Sequence, residues 1–409
     1  MPSPVYPRLL LFDPYAGGHH AEHIHHLMGA WQRRCEEGWL VAAVAPRLLE
    51  QHPSLADVAF DDDTRGARLV PLAGAEVLGG PAPHSLAQVG RINGRLLSAA
   101  VADHRPARVH ALYLDHLQLA LAMRLRLPYP ARLSGLLFRP DFHYGQFETA
   151  PPPVTERVRR FRKKLVLRAA LRHPLLDTVL TLDYTAVEPL AALTSRVRIE
   201  AVPEPMDTSG AQVPSATVRA GLGVEPGRVL LVLFGILDER KGVPALLQAL
   251  LHLEDSGCSQ VTVVLAGRLA AADRARIEDL ITRVRERPVQ LILREGFVPD
   301  EEIQSLLGAA DLVLVPYQRH VGSSGVLVRA AAVGTPILSQ DYGLMGEQTR
   351  VLHLGQAADT TSPEAIAEGI RQFLADPMRG FDLDRARAFA AQNTPEGYAD
   401  ATLDALLSS

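Results

Sequence analysis

Two short stretches of the sequence have residue types and spacings suited to holding an anion. In FGILDERKG (234–242) an apolar run ends at Gly235, and Arg240 and Lys241 precede VPALLQALLHL, which reads as a helix starting at about Gly242. Lys241 then sits near a helix N-terminus, where the dipole and unpaired N–H groups already favour negative charge. The bland alternative is a pair of solvated loop cations. The second stretch, VGSSGVLVRAAAVGTP (321–336), follows the apolar run DLVLVP and opens a small-residue helix. Gly322, Ser323, Ser324, Gly325 and Val326 offer successive backbone N–H groups and two hydroxyls, a nest that suits phosphate without a metal. A plain strand-to-helix connection with a serine N-cap is the alternative. Arg329 lies deep in that helix, an odd place for a cation.

The other chemistry-bearing residues fall in the first half. GGHHAEHIHHL (17–27) has five histidines at a strand-to-helix turn, and His19, His23 and His26 share one helical face. Imidazoles at such spacing can ligate zinc, but no carboxylate or cysteine completes the set in sequence. The alternatives are a solvated or core face, and a role for His19 or His20 in contacting an acceptor or phosphate at the carboxyl end of strand one. Asp115 and His116 follow another strand end as a base dyad or, more commonly, an N-cap aspartate before an apolar helix. FRPDFHYGQF (138–147) supplies Arg139, Asp141 and His143 in an aromatic loop that would shape an acceptor pocket. ERVRRFRKKLVLRAALRH (156–173) has eight Lys/Arg between Arg157 and Arg172, with an apolar stripe of Val158, Phe161, Leu165 and Ala169. Such a helix either packs with its cations in water or rests on anionic membrane.

The elements that must position these residues are short, near-continuous apolar runs, each followed by a longer amphipathic stretch. In the first half they are RLLLFDPY, WLVAAVAP, ARVHALYL, ARLSGLLF, DTVLTLD and RVRIEAVP; in the second, RVLLVLFGIL, VTVVLAG, VQLILREGF, DLVLVP and TPILSQD. Runs of this kind are strands buried on both faces, and the spacing leaves room for crossover helices, so the fold class is α/β with parallel sheets. VPEPMDTSGAQVPSATVRAGLGVEPG (202–227) breaks the series in the middle. The expected organisation is a Rossmann-like domain over 1–205, to which a C-terminal helix (391–409) returns, and a second over 206–390, facing it across a cleft.

The bulk properties narrow the function classes. With 409 residues, 47% hydrophobic and 22% charged, the chain can bury two cores. A formal charge of −4 gives no global attraction to nucleic acid, and none is expected as a partner. Two cysteines without ligand spacing exclude a disulfide framework and suit a reducing cytoplasm. The first residues lack the pattern of a signal peptide, and no apolar run approaches membrane-spanning length. There is no G-x-x-x-x-G-K-S/T, and no G-x-G-x-x-G follows strand one.

The second half resembles the donor domain of GT-B glycosyltransferases, in particular the retaining family-4 (group 1) type. The blocks that carry the resemblance are GILDERKG, VVLAGR, REGFVPDEEIQSLLGAADLVLVP and VGSSGVLVRAAAVGTPILSQDYG, with VPEPMD similar to the family's interdomain segment. The first half matches more loosely, through YAGGHH and its strand pattern. The resemblance implies that Lys241 contacts the diphosphate of a nucleotide sugar and that the Ser323–Val326 amides take its distal phosphate. It implies that Gly296, Phe297 and Val298 line the nucleobase, that Gly235 and Gly267 end the strands beneath the donor, and that Gly17 and Gly18 approach from the first domain. The implied reaction is retaining and metal-independent, with no cofactor beyond the donor and an acceptor that is a glycan, a lipid-linked molecule or a small molecule. Ile236 stands where the family has a diphosphate-binding Arg, Val321 and Arg329 where it has two glutamates, and Phe138 and Arg139 where many members have a His. Either Arg329 with Arg240, Arg319 or Arg139 rebuilds a cationic site, or the protein is a degenerate binding or scaffold subunit. The expected catalytic set is His19, His20, Arg139 and Lys241.

Overall fold

The structure is a computed structural model and describes residues 7–17, 20–62, 64–79, 85–148, 152–210 and 212–408. Gly18 and His19 lie outside the described residues. The chain forms two compact units, one of residues 1–205 and 395–409, the other of 206–394. The return to the first unit falls at Pro395 rather than at 391. The Asn393 carbonyl accepts from the Met206 amide (3.4 Å), which ties the end of the preceding helix to the second unit.

The first unit is built on eight strands: β1 (Leu9–Asp13), β2 (Gly38–Val44), β3 (Phe60–Asp61), β4 (Arg65–Pro71), β5 (Arg108–Ala111), β6 (Arg132–Leu137), β7 (Leu176–Thr181) and β8 (Arg198–Ala201). Their order is β3-β4-β2-β1-β5-β6-β7-β8, parallel throughout except for the short β3 against β4. β1 reads LLLFD because all five of its residues are buried between helical layers. The strand order reverses between β1 and β5, so the crevice where such sheets hold ligands opens at the ends of those two strands. The last helix, Pro395–Leu407, packs on helix His20–Arg33, and Arg34 donates to Asp404 at 2.7 Å.

The second unit has six parallel strands: β9 (Val229–Phe234), β10 (Val261–Gly267), β11 (Gln290–Glu295), β12 (Leu312–Val315), β13 (Ile337–Gln340) and β14 (Gly355–Ala358), in the order β11-β10-β9-β12-β13-β14. The alternation of β9 explains its unbroken apolar sequence. Leu231 and Leu233 enter the core on one face, and Leu230 and Val232 the core on the other. Here the order reverses between β9 and β12, the strands that lead into the two loops singled out by sequence. Among the described residues no helix is long and apolar enough to cross a membrane.

The basic helix, Val154–Ala170, departs from an amphipathic packing pattern. Leu167 and Ala170 are its buried residues, whereas Val158, Phe161 and Leu165 lie on the outside.

Candidate active site

In the second unit, two glycines bring the loops together. At Gly242 (φ +76°), which caps helix Val243–His252, a Cβ would meet the Pro316 carbonyl oxygen at 1.8 Å, so only glycine lets this helix start so close to the exit of β12. Gly267, at the end of β10, has φ +143°, and a Cβ there would stand 1.7 Å from the Gly235 carbonyl. The loop between Gly235 and Gly242 is closed by Asp238, whose Oδ1 accepts the Lys241 amide at 2.7 Å. The Gln318 amide donates to the Arg240 carbonyl at 2.9 Å, joining this loop to the one after β12. The Arg240 side chain lies 3.6 Å from Asp238 and forms part of the loop's own charge balance.

Lys241 and Ser324 converge on Tyr317, a buried residue that sequence reasoning missed. Lys241 Nζ donates to the Tyr317 hydroxyl and lies 4.1 Å from the ring centroid. Ser324 Oγ lies 3.3 Å from the same hydroxyl. Tyr317 is itself fixed by Thr360, which donates to its carbonyl at 2.6 Å. Ser324 occupies the N-cap position of helix Gly325–Val333 but makes no side-chain cap bond, so the serine-cap alternative does not hold. The amides of Gly325 and Val326 have no acceptor among the described residues. His320 shapes the turn from behind, with Nε2 3.2 Å from the Ser323 carbonyl and its amide bonded to Gln340. An ammonium, two hydroxyls and first-turn amides therefore gather at the carboxyl ends of β9 and β12, a site able to bind a polyanion.

Arg329 does not join this group. Its Nη2 donates to Asp300 at 3.0 Å and its Nε lies 3.0 Å from the Met206 sulfur, which itself packs on Gly325. Ile236, where the resemblance places an Arg, is 42% exposed. Arg319 stacks over Tyr342, 4.7 Å from its centroid. Phe297, after edge strand β11, is 91% exposed, and Val298 packs against the core.

In the first unit, the crevice between β1 and β5 contains a histidine-carboxylate pair. His20 Nδ1 stands 2.5 Å from Oδ2 of Asp13, the last residue of β1, and both side chains are buried. The other carboxylate oxygen accepts the Tyr15 amide at 3.2 Å. The His20 ring stacks on Tyr113 (4.1 Å between centroids, 20° between planes), and Tyr113 stacks on Phe138 (4.1 Å, 15°). Nδ1 is thereby committed to Asp13, and Nε2 has no partner among the described residues. Burial raises the Asp13 carboxyl above its usual range, with the His20 hydrogen bond and charge pulling the other way. Burial likewise raises the Tyr113 phenol and lowers the His116 imidazole.

Neither reading of Asp115 holds. The short turn Leu114–His116 is preceded by Tyr113, not Asp115, and the Asp115 carboxylate accepts the amides of Phe138 (2.9 Å) and Arg139 (3.2 Å). It ties the end of β6 in place and forms no dyad with His116. Arg139 is bound through its amide, and its side chain is exposed. The aromatic loop also turns inward: His143 meets Thr185 at 3.1 Å, Tyr144 donates to Asp183 at 2.7 Å, and Lys163 donates to Asp141 at 2.6 Å. These contacts pin the loop to the turn after β7 and to the basic helix. His23 bonds the Tyr398 hydroxyl at 2.8 Å, inside the seat of the last helix. Among the described residues, no group of three His, Cys, Asp or Glu could hold a metal ion. A Cβ at Gly17 would meet nothing within 4 Å. A separate groove at the amino ends of β6, β7 and β8, lined by Arg132, Asp177 and Arg198, lies at the edge of the sheet opposite the His20 crevice.

Comparison with known proteins accounts for the architecture. Residues 215–394 match the family Glycosyl transferases group 1. A 2-deoxystreptamine glucosyltransferase of Streptomyces kanamyceticus is 28% identical over 280 residues, 66% of this chain and 69% of the relative. A D-inositol 3-phosphate glycosyltransferase of Rhodococcus erythropolis is 27% identical over 44% of this chain, which spans 42% of that relative's length. Among solved structures, Anabaena HepE in complex with UDP superposes with a TM-score of 0.68 at 15% identity, covering 98% of this chain and 100% of its own. Sucrose-phosphate synthase from Thermosynechococcus elongatus superposes with a TM-score of 0.66 at 18% identity, covering 98% of both chains. Residues 215–394 thus match the glycosyl transferases group 1 domain, and the whole chain has the two-domain GT-B fold of the glycosyltransferases on which it superposes.

Proposed function

We propose that the protein moves a hexose-like unit from a nucleotide diphosphate sugar to an acceptor hydroxyl, with retention of configuration and without a metal ion. The observation that carries this reading is the convergence of Lys241 and Ser324 on Tyr317, beside the unbonded Gly325 and Val326 amides. As the bond to the anomeric carbon breaks, negative charge grows on the departing diphosphate. A fixed ammonium and preorganised amides stabilise that charge more than they stabilise the intact donor, which is what lowers a barrier. Tyr317 accepts from both partners, so its own proton is free to be donated to a phosphate oxygen. In a retaining reaction the leaving phosphate also takes the acceptor's proton, and His20, held by Asp13, accepts a hydrogen bond from a substrate hydroxyl.

Phe297 and Val298 are the proposed nucleobase neighbours, Gly17 the approach from the first unit, and Ser323 a further phosphate donor. The same reading puts the enzyme in a reducing, cytoplasmic compartment, in line with two unpaired thiols.

Absence of the family's Arg and two glutamates at Ile236, Val321 and Arg329 favours one competitor, a degenerate donor-binding or scaffold subunit. A thermal-shift series with UDP, GDP, ADP, TDP and CMP compounds, followed by donor turnover in wild type and Lys241→Ala with and without chelator, separates the two. Stabilisation by one nucleotide together with chelator-resistant, Lys241-dependent turnover supports the transferase. Stabilisation without turnover supports the subunit, and no stabilisation by any compound removes the donor site.

A further inference from the structure

The helix Val154–Ala170 presents a hydrophobic ridge to water. Val154 is 70% exposed, Val158 52%, Phe161 61% and Leu165 49%. At about 100° per residue these four side chains fall within an arc of roughly 60°, and they extend over about 16 Å of helix. A scattered exposed leucine needs no explanation, but four aligned apolar side chains on one ridge do.

The cations of the helix sort into two groups. Arg159 pairs with Glu156 within the helix (2.6 Å), while Arg160 pairs with Glu148 (2.9 Å) and Lys163 with Asp141 (2.6 Å), holding the helix to its own unit. Arg157, Arg162, Lys164 and Arg168 are exposed and have no carboxylate partner among the described residues. On the helical wheel they flank the ridge, Arg162 on one side and the other three on the opposite side, about 50–90° from its centre.

We infer that this face docks on an anionic lipid surface, with Val154, Val158, Phe161 and Leu165 inserted among acyl chains and the four flanking cations at the headgroups. The arrangement is that of a helix lying in the interface: a narrow apolar face bordered by cations long enough to reach phosphate while their stems stay in the apolar layer. A second copy of the chain is the weaker occupant, because face-to-face pairing would press two rows of unpaired cations together. Nucleic acid would meet the cations but leave the aliphatic ridge in water. Helix Val154–Ala170 follows β6, so its first turn lies at the carboxyl edge of the sheet, the edge that holds Asp13 and His20. Docking brings that edge toward the lipid. The inference does not rest on the donor reading, since lipid binding is read without any sugar nucleotide.

The test is co-sedimentation of the full chain with vesicles of phosphatidylcholine alone or mixed with phosphatidylglycerol. The wild type partitions onto the mixed vesicles, remains in solution with the neutral ones, and is released by raised salt. The triple change Arg162→Gln, Lys164→Gln, Arg168→Gln and the double change Phe161→Ser, Leu165→Ser each lower partitioning about tenfold or more. Arg283→Gln, on an exposed helix of the second unit, leaves it unchanged. All these side chains are exposed, so circular dichroism and thermal unfolding match wild type, and loss of binding cannot be assigned to loss of fold. Failure of the wild type to sediment with anionic vesicles overturns the inference. So does sedimentation that neither variant weakens, a dimer in solution that Phe161→Ser, Leu165→Ser dissociates, or binding to duplex nucleic acid but not to vesicles.

Discussion

Arg329 is held by Asp300 at 3.0 Å, a cation from the first turns of helix Gly325–Val333 paired with the first residue of helix Asp300–Ala309. The Arg329 side chain is 12% exposed and that of Asp300 is 76% exposed. Replacing the usual carboxylate of this position by Arg therefore comes with its own counter-charge, and the guanidinium is turned toward Asp300 and Met206. Restoring the family's residue alone should fail. Arg329→Glu places two carboxylates together in a half-enclosed position and costs about 1–2 kcal/mol, a drop in Tm of roughly 2–6 °C for a unit of this size. Arg329→Glu with Asp300→Lys recovers most of that loss. A double mutant no more stable than the single one would show that the pair does not act as a unit.

Tyr317 joins Lys241 to Ser324, so its hydroxyl is expected to matter without being the main source of charge. Tyr317→Phe retains the ring over which Lys241 lies and removes only the shared acceptor. Donor turnover should fall about tenfold, against roughly 100- to 1,000-fold for Lys241→Ala. Equal losses in the two variants would mean that the tyrosine, rather than the ammonium, carries the phosphate contact.

The sequence made some of this legible and hid the rest for physical reasons. Strands buried on both faces announce themselves, as β1 and β10 do with LLLFD and VTVVLAG. β3, β4 and β14 escaped because they lie at or beside sheet edges, where half the surface is open and Arg65, Arg68 or the small residues of GQAA suffice. Glycine and serine at helix starts are local signals, and both loops of the second unit were visible as such. Tyr317 was not, because its partner Lys241 is 76 residues away and the tyrosine looks like an ordinary strand exit. Asp13 was hidden in the same way, reading as the polar last residue of a strand until the fold set His20 against it. The stripe Val158, Phe161, Leu165 is legible as a helical face, but periodicity does not say which side of a helix faces the core.

His110 makes the stability of the first unit depend on pH. It is fully buried on β5, with Nδ1 3.1 Å from Ser134 Oγ, and burial followed by repulsion from Arg108 lowers its pKa from 6.5 to about 3. Between these values the unfolded chain binds a proton that the folded chain refuses. The contribution is therefore complete above pH 6.5 and is lost as pH falls toward 3. From pH 6.5 to 4.5 the loss is about 2 kcal/mol. Urea unfolding of wild type and His110→Gln at these two pH values isolates it: the variant's stability should change by about 2 kcal/mol less over the window. Parallel changes in the two proteins would place the proton elsewhere.

His20 and Asp13 allow two roles that kinetics can separate. If the leaving phosphate takes the acceptor proton, His20 Nε2 positions a hydroxyl, and His20→Gln should raise the acceptor KM while kcat changes less than about tenfold. If His20 is instead the general base, kcat should fall about 100- to 10,000-fold, and Asp13→Asn should follow it, because an amide no longer stabilises the imidazolium that forms. The retaining reading predicts the first pattern, with donor affinity unchanged in both variants. A large kcat loss in both, at unaltered donor affinity, would point to direct displacement with inversion, which the anomeric configuration of the product would reveal independently.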